Sequence, residues 1–236
     1  LFRSIGNYAF YNCNSLTSIE IQGDADIGVG AFTGCTNLTS INIHGDAKIG
    51  NSAFWQCDKL KCVVCRGNVE VDAVAFDGCS ALKNIEFRGD AKIGLSAFED
   101  CSSLSQISML GRTAVGERAF AGCNNLTDVE LQGKVLAIGK YAFGWCENLE
   151  SVQFLNGISH MGEYLFDECS NLKCVEIQGL VRDIGACAFA GSSGLEKVIV
   201  PDGLWNIGQN AFKDCSSLTE LLLPNSVRRI EDNAFY

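Results

Sequence analysis

Ile27-Gly28-Val29-Gly30-Ala31-Phe32-Thr33-Gly34-Cys35-Thr36-Asn37-Leu38-Thr39-Ser40-Ile41-Asn42-Ile43 decides the fold, because the whole chain is variants of this stretch. One period later, Ile49-Gly50-Asn51-Ser52-Ala53-Phe54-Trp55-Gln56-Cys57-Asp58-Lys59-Leu60 has the same skeleton. The beat is set by Phe10, Phe32, Phe54, Phe76, Phe98, Phe120, Phe143, Phe166, Phe189, Phe212 and Phe235, spaced by 22 five times and then by 23 five times. A fixed period of this size marks a solenoid, in which each repeat is one coil that only its neighbours can bury.

The columns around the beat define each coil. An Ile-like column includes Ile27, Ile49, Val71, Ile93, Val115 and Ile138, and Gly follows it except at Asp72 and Glu231. Ala precedes Phe except at Leu165, and Leu stands six residues after Phe, as at Leu38, Leu60 and Leu82. A period-two pair then follows, such as Ile19/Ile21, Ile85/Phe87 or Val175/Ile177, and this alternation reads as one strand per repeat. The expected fold is an α/β leucine-rich-repeat solenoid with one parallel β-sheet on the concave face. The Gly-x-x-Ala-Phe-x-x-Cys portion has helical spacing and is expected to form short helical turns on the opposite face. The Ile-Gly column is expected to add a second short strand at the sheet edge. Residues 1–236 read as a single solenoid of about ten repeats, 22-residue over 1–131 and 23-residue over 132–236. The corner three residues before the Ile column is polar early (Asp24, Asp46, Asn68, Asp90, Arg112) and apolar late (Val135, Ile158, Val181, Leu204, Val227). A change of curvature or twist is therefore expected near 131–138.

Composition narrows the functions. Eighteen Lys+Arg against 28 Asp+Glu leave a net charge of −10 and a pI near 4.7. That balance disfavours phosphate-backbone binding and anionic membranes. No apolar run approaches the roughly 20 residues needed to span a bilayer, so no membrane insertion is expected within this segment. The sequence opens in mid-repeat at Leu1-Phe2-Arg3 and stops at Ala234-Phe235-Tyr236, which reads as part of a longer protein.

Several motifs suggest chemistry. Nine of the 13 cysteines share one column: Cys13, Cys35, Cys57, Cys79, Cys101, Cys123, Cys146, Cys169 and Cys215, with Ser192 substituting once. Stacked coils hold their Cβ vectors parallel, too far apart for disulfide geometry, so a ladder of buried protonated thiols is expected. Cys62-Val63-Val64-Cys65 spells a redox or zinc motif, but on a strand residues three apart face opposite ways. The Asp24/Asp46/Asn68/Asp90 column could suggest a calcium ladder; turn capping is the simpler reading, because calcium wants six to eight oxygens. His44 and His160 occupy different parts of their repeats, and Gly28-Val29-Gly30 lacks a nucleotide fingerprint's third glycine. The sequons at Asn37 and Asn125 each contain a core Leu. Neither catalysis, cofactor nor metal is expected.

The residues between the two inward strand positions must face solvent. They are Glu20, Asn42, Val64, Glu86, Ser108, Glu130, Gln153, Glu176, Ile199 and Leu222, with His44, Arg66 and Arg88 among those that follow. Unlike the core columns they vary from coil to coil, as an extended recognition surface would.

The unit I-G-x-x-A-F-x-x-C-x-x-L-x-x-I-x-I resembles the BspA-type leucine-rich repeat, most closely at Ile199-Val200-Pro201-Asp202-Gly203-Leu204-Trp205-Asn206-Ile207-Gly208. The resemblance covers essentially the whole chain. It implies a cell-surface or secreted protein of mucosal bacteria or protist parasites, adhering to host matrix or cell-surface proteins. The Gly-Asp-Ala corner of the early repeats departs from the family's Pro-containing linker. Two rival readings are an architectural spacer that self-associates through its solenoid ends, and the repeat arm of a larger enzyme.

Overall fold

The computed structural model describes residues 4–158 and 160–236; residues 1–3, the opening Leu1-Phe2-Arg3, and 159 lie outside the described residues. Inward apolar pairs produce a ten-stranded parallel sheet whose strands follow one another in sequence order, from Ser18–Ile21 to Glu220–Leu221. Register is strict: Ile19 pairs with Ile41, Ile41 with Val63, and Val63 with Ile85. A one-residue slip would turn every inward side chain to solvent, which pins that register.

The Ile-Gly column does form a second strand per coil, but not at the edge of that sheet. These short strands build separate parallel sheets, one of seven strands from Ser4–Ile5 to Val135–Ile138 and one of four from His160–Met161 to Arg229–Ile230. One sheet per solenoid thus becomes a large sheet faced by two small ones. The break falls where the sequence changes period. Thr113 pairs with Val135 while Ala114 pairs with Ala137, leaving Leu136 as a bulge, and only an isolated bridge joins Val135 to Ile158.

The expected helical turns are absent: no α-helix occurs among the described residues. In the Phe segment, alternate amides bond in different directions. Ala31, Thr33 and Cys35 donate to the carbonyls three residues back in their own coil, whereas Gly30, Phe32 and Gly34 donate to Asn51, Ala53 and Trp55 of the next coil. Two left-handed residues per coil impose this zigzag, one two residues before Phe and one two residues after, as at Ser52 (φ 53°) and Gln56 (φ 59°). Left-handed residues cannot continue a right-handed helix. The second of these positions is glycine in several coils, and at Gly34 an added Cβ would collide with the Asn12 Oδ1 of the preceding coil.

The interior is a set of ladders. The eleven phenylalanine rings stack in sequence, neighbouring centroids 4.9–5.9 Å apart and ring planes within 20°. From Phe32 to Phe212 the rings are buried, while Phe10 and Phe235 are partly exposed. Each buried ring contributes roughly 1.5–3 kcal/mol by leaving water. Beside them run the Leu38–Leu60–Leu82 column and the strand pairs.

Candidate protein-interaction face

The solvent side of the large sheet is fixed by the inward pairs, so its side chains owe little to the core. All thirteen residues expected there are exposed or half-buried. Glu20, Asn42, Val64 and Glu86 pair strand to strand in one row. Ser108, Glu130, Gln153, Glu176 and Ile199 continue it. Leu222 is 71% exposed beyond them. His44, Arg66 and Arg88 stand just past the strand ends, their amides bonded to Ile21, Ile43 and Cys65 carbonyls.

Many of these groups bond along their own coil, two residues apart. Gln22 donates to Glu20 at 2.7 Å, Arg88 to Glu86 at 2.6 Å, Gln132 to Glu130 at 3.0 Å and Gln178 to Glu176 at 2.9 Å. His44 Nε2 lies 3.3 Å from Glu20 and 3.4 Å from Asn42 Nδ2. The Oδ1 of Asn42 is buried with no hydrogen-bond partner. Toward the C-terminal coils the face turns apolar, with Leu155, Ile199 and Leu222.

The other chemical motifs resolve into scaffolding. The eight column thiols from Cys35 to Cys215 each donate to the phenylalanine carbonyl of the preceding coil, Cys57 to Phe32 at 3.3 Å and Cys101 to Phe76 at 3.2 Å, and Ser192 makes the same bond to Phe166 at 2.9 Å. Burial pushes Cys57 and Cys146 up to about 12 and Cys65 to about 11, so these thiols are protonated and poor nucleophiles. Cys62 and Cys174 are half-buried on the sheet face, five coils apart.

The acidic corner is a capping ladder running from coil to coil. Asp24 Oδ1 accepts from the Asp46 amide (2.9 Å), Asp46 from Asn68 (2.7 Å), Asn68 from Asp90 (2.9 Å) and Asp90 from Arg112 (2.8 Å). Those oxygens are committed to amides, and no His/Cys/Asp/Glu cluster suited to a metal occurs among the described residues. His160 faces Asp183 at 2.6 Å on the small sheet, far in sequence and on a different sheet from His44. Asn37 is held by the Asn14 carbonyl (2.8 Å) and Lys59 (2.6 Å), and its sequon's Leu38 is buried. No helix among the described residues is long and apolar enough to cross a membrane.

The two main concavities among the described residues are open. A concavity of about 510 Å³ lined by Ile5, Phe10, Leu16 and Ile19 is the interior of the first described coil. A shallow groove of about 720 Å³ follows the seven-stranded small sheet, where Lys92 bonds Glu70 at 2.5 Å.

Two features escaped the sequence reading. On the turn side, Tyr141 stacks on Trp145 (5.0 Å) and Tyr164 (4.6 Å), with Arg118 over Trp145 (5.2 Å) and Lys140 over Tyr164 (4.7 Å). The signal was two aromatic residues, Tyr141 and Tyr164, in consecutive coils of one column, with Arg118 in the same column one coil earlier. Arg118 and Lys140 also pair with Glu99 (3.1 Å) and Glu163 (3.3 Å), so the cluster is internally satisfied. The second feature is Lys61 and Lys83, exposed just before the strands Cys62–Cys65 and Asn84–Phe87.

A search of curated proteins finds no match. Among solved structures, a leucine-rich repeat protein from Bacteroides ovatus ATCC 8483 superposes with a TM-score of 0.66 at 23% identity, over 97% of this chain and 78% of that one. A leucine rich cell surface protein from Faecalibacterium prausnitzii A2-165 aligns over 98% of this chain and 83% of that one, at 20% identity and a TM-score of 0.37. The first likeness shows the solenoid fold. The family description "BspA type Leucine rich repeat region" matches residues 3–112 and 113–236. With the Phe, Cys and Leu ladders falling on that repeat throughout, the chain belongs to the BspA-type leucine-rich repeat family.

Proposed function

We propose that this chain is a non-catalytic adhesion module, displayed on a cell surface or secreted, that recognises protein through the solvent side of its large sheet. The observation that carries the reading is a contrast between columns. Core, thiol and corner positions repeat because each makes a bond that the next coil needs. The sheet face changes residue at nearly every coil while its backbone register stays constant. A rigid frame carrying varied polar groups with scattered apolar ones suits protein recognition. Membership of the BspA-type family adds the expectation of a host matrix or cell-surface protein as partner.

The test is adhesion of protein-coated beads to immobilised matrix proteins and to epithelial cells. Asn42→Arg, Ser108→Arg and Gln153→Arg together should abolish attachment. Glu117→Arg with Gln209→Arg, on the turn side, should leave it intact. Loss from the turn-side pair alone would move the interaction to the other face, and attachment insensitive to both would refute the reading.

A further inference from the structure

We propose that the sheet face of the two coils carrying residues 61–66 and 83–88 docks an acidic segment of the partner protein. The proposal rests on the adhesion reading above and names the chemistry of what is recognised there. In a chain of net charge −10, residues 61–66 and 83–88 gather Lys61, Arg66, Lys83 and Arg88 against a single carboxylate, Glu86. The flanking coils add no acid, since residues 39–44 and 105–110 contain neither Asp nor Glu. Acids return only at Glu20 on one side and at Asp128 and Glu130 on the other, bounding the patch.

The cations form two rows. Lys61 and Lys83 immediately precede the strands Cys62–Cys65 and Asn84–Phe87, exposed at the edge of the face, and Arg66 and Arg88 immediately follow them, about 16 Å away at strand rise, with neighbours in a row about 4.8 Å apart. Arg88 is held by Glu86 at 2.6 Å, whereas Lys61, Arg66 and Lys83 make no ion pair among the described residues. Arginine forks suit carboxylates bidentately.

Between the rows lie half-buried Val64 and Cys62, and the Asn42 Oδ1 that lacks a partner is in the neighbouring strand. That centre distinguishes a protein segment from a uniform polyanion. A sulfated polysaccharide would set negative charge over Glu86 and find nothing for Val64. An acidic peptide can place carboxylates over both rows, an apolar side chain on Val64 and a donor toward Glu86.

The experiment titrates the whole chain with a fluorescein-labelled peptide rich in Asp and Leu, and in parallel with heparin. Arg66→Glu with Lys83→Glu should weaken peptide binding about tenfold or more, since like charges now oppose. Lys48→Glu with Lys134→Glu, the same charge change off the face, should cost under about twofold, and rising salt should weaken binding to the unaltered chain. Circular dichroism of both variants checks that the coils remain folded. Equal losses from the two pairs, undetectable peptide binding by the unaltered chain, or tighter binding of heparin than of peptide would each overturn the proposal. If the peptide results fail while the Asn42/Ser108/Gln153 reversals still abolish adhesion, the acidic-segment proposal falls and the adhesion reading stands.

Discussion

Phe76 shows how much a single residue's neighbours are asked to do. Its carbonyl accepts the Cys79 amide of its own coil at 3.1 Å and the Cys101 thiol of the next coil at 3.2 Å. A small buried donor is wanted at the thiol position, and Ser192 meets the same need. The thiols also set a pH dependence. Burial holds Cys57 and Cys146 at about 12 in the folded chain, against 9.0 for an ordinary cysteine. Below pH 9 both states keep the proton and the contribution is complete. Above it the unfolded chain ionises first, so stability falls with rising pH until the folded thiols titrate near 12. Each such thiol accounts for at most about 1.4 kcal/mol per pH unit. Urea midpoints at pH 8, 10 and 11 should therefore decline, and a Cys57→Ser/Cys146→Ser variant should decline less steeply.

At the scale of elements, the strands were legible and the turns were not. Ile41 and Ile43, or Val175 and Ile177, alternate with polar residues, a pattern with one structural meaning. Gly-x-x-Ala-Phe-x-x-Cys has the spacing of a helix face, and periodicity cannot distinguish a helix from a zigzag of the same repeat. The distinguishing signal was composition in two other columns. Gly30, Asn210 and Asn233 in one, and Gly34, Gly78, Asp100, Gly122 and Gly191 in the other, are residues that tolerate positive φ. Bulky members such as Val74 (φ 48°) and Trp145 (φ 56°) masked it. The sheet face could be assigned by parity alone, but the two-row arrangement of its cations required knowing that Lys61 and Lys83 sit exposed just before their strands begin.

The acidic corner is an element with its own prediction. Asp46→Ala leaves the Asn68 amide without its 2.7 Å acceptor and should cost about 0.5–1.5 kcal/mol. Asp46→Asn should be nearly neutral, because Asn68 already serves the Asp90 amide in the same way. Thermal melts with added calcium or chelator should coincide for the unaltered chain; a calcium-dependent rise would show that the column holds a cation after all.

For the whole molecule, contacts between adjacent coils dominate, so stability should sum over coils and their interfaces. Excising one complete 22-residue coil, residues 67–88, should preserve the circular dichroism spectrum and lower the melting temperature modestly. Excising 21 residues, 67–87, should put every later ladder out of phase and prevent folding of the second half. Comparable melts for the two deletions would mean that phase matters less than the ladders imply.

The amides that join coil to coil on the Phe side have a wider consequence. Because main-chain atoms clamp the turns as well as the strands, the outer row of the large sheet is excused from structural duty. Evolution, or an engineer, can rewrite that row one coil at a time without renegotiating the frame, and new tastes in partner can arise by point substitution alone.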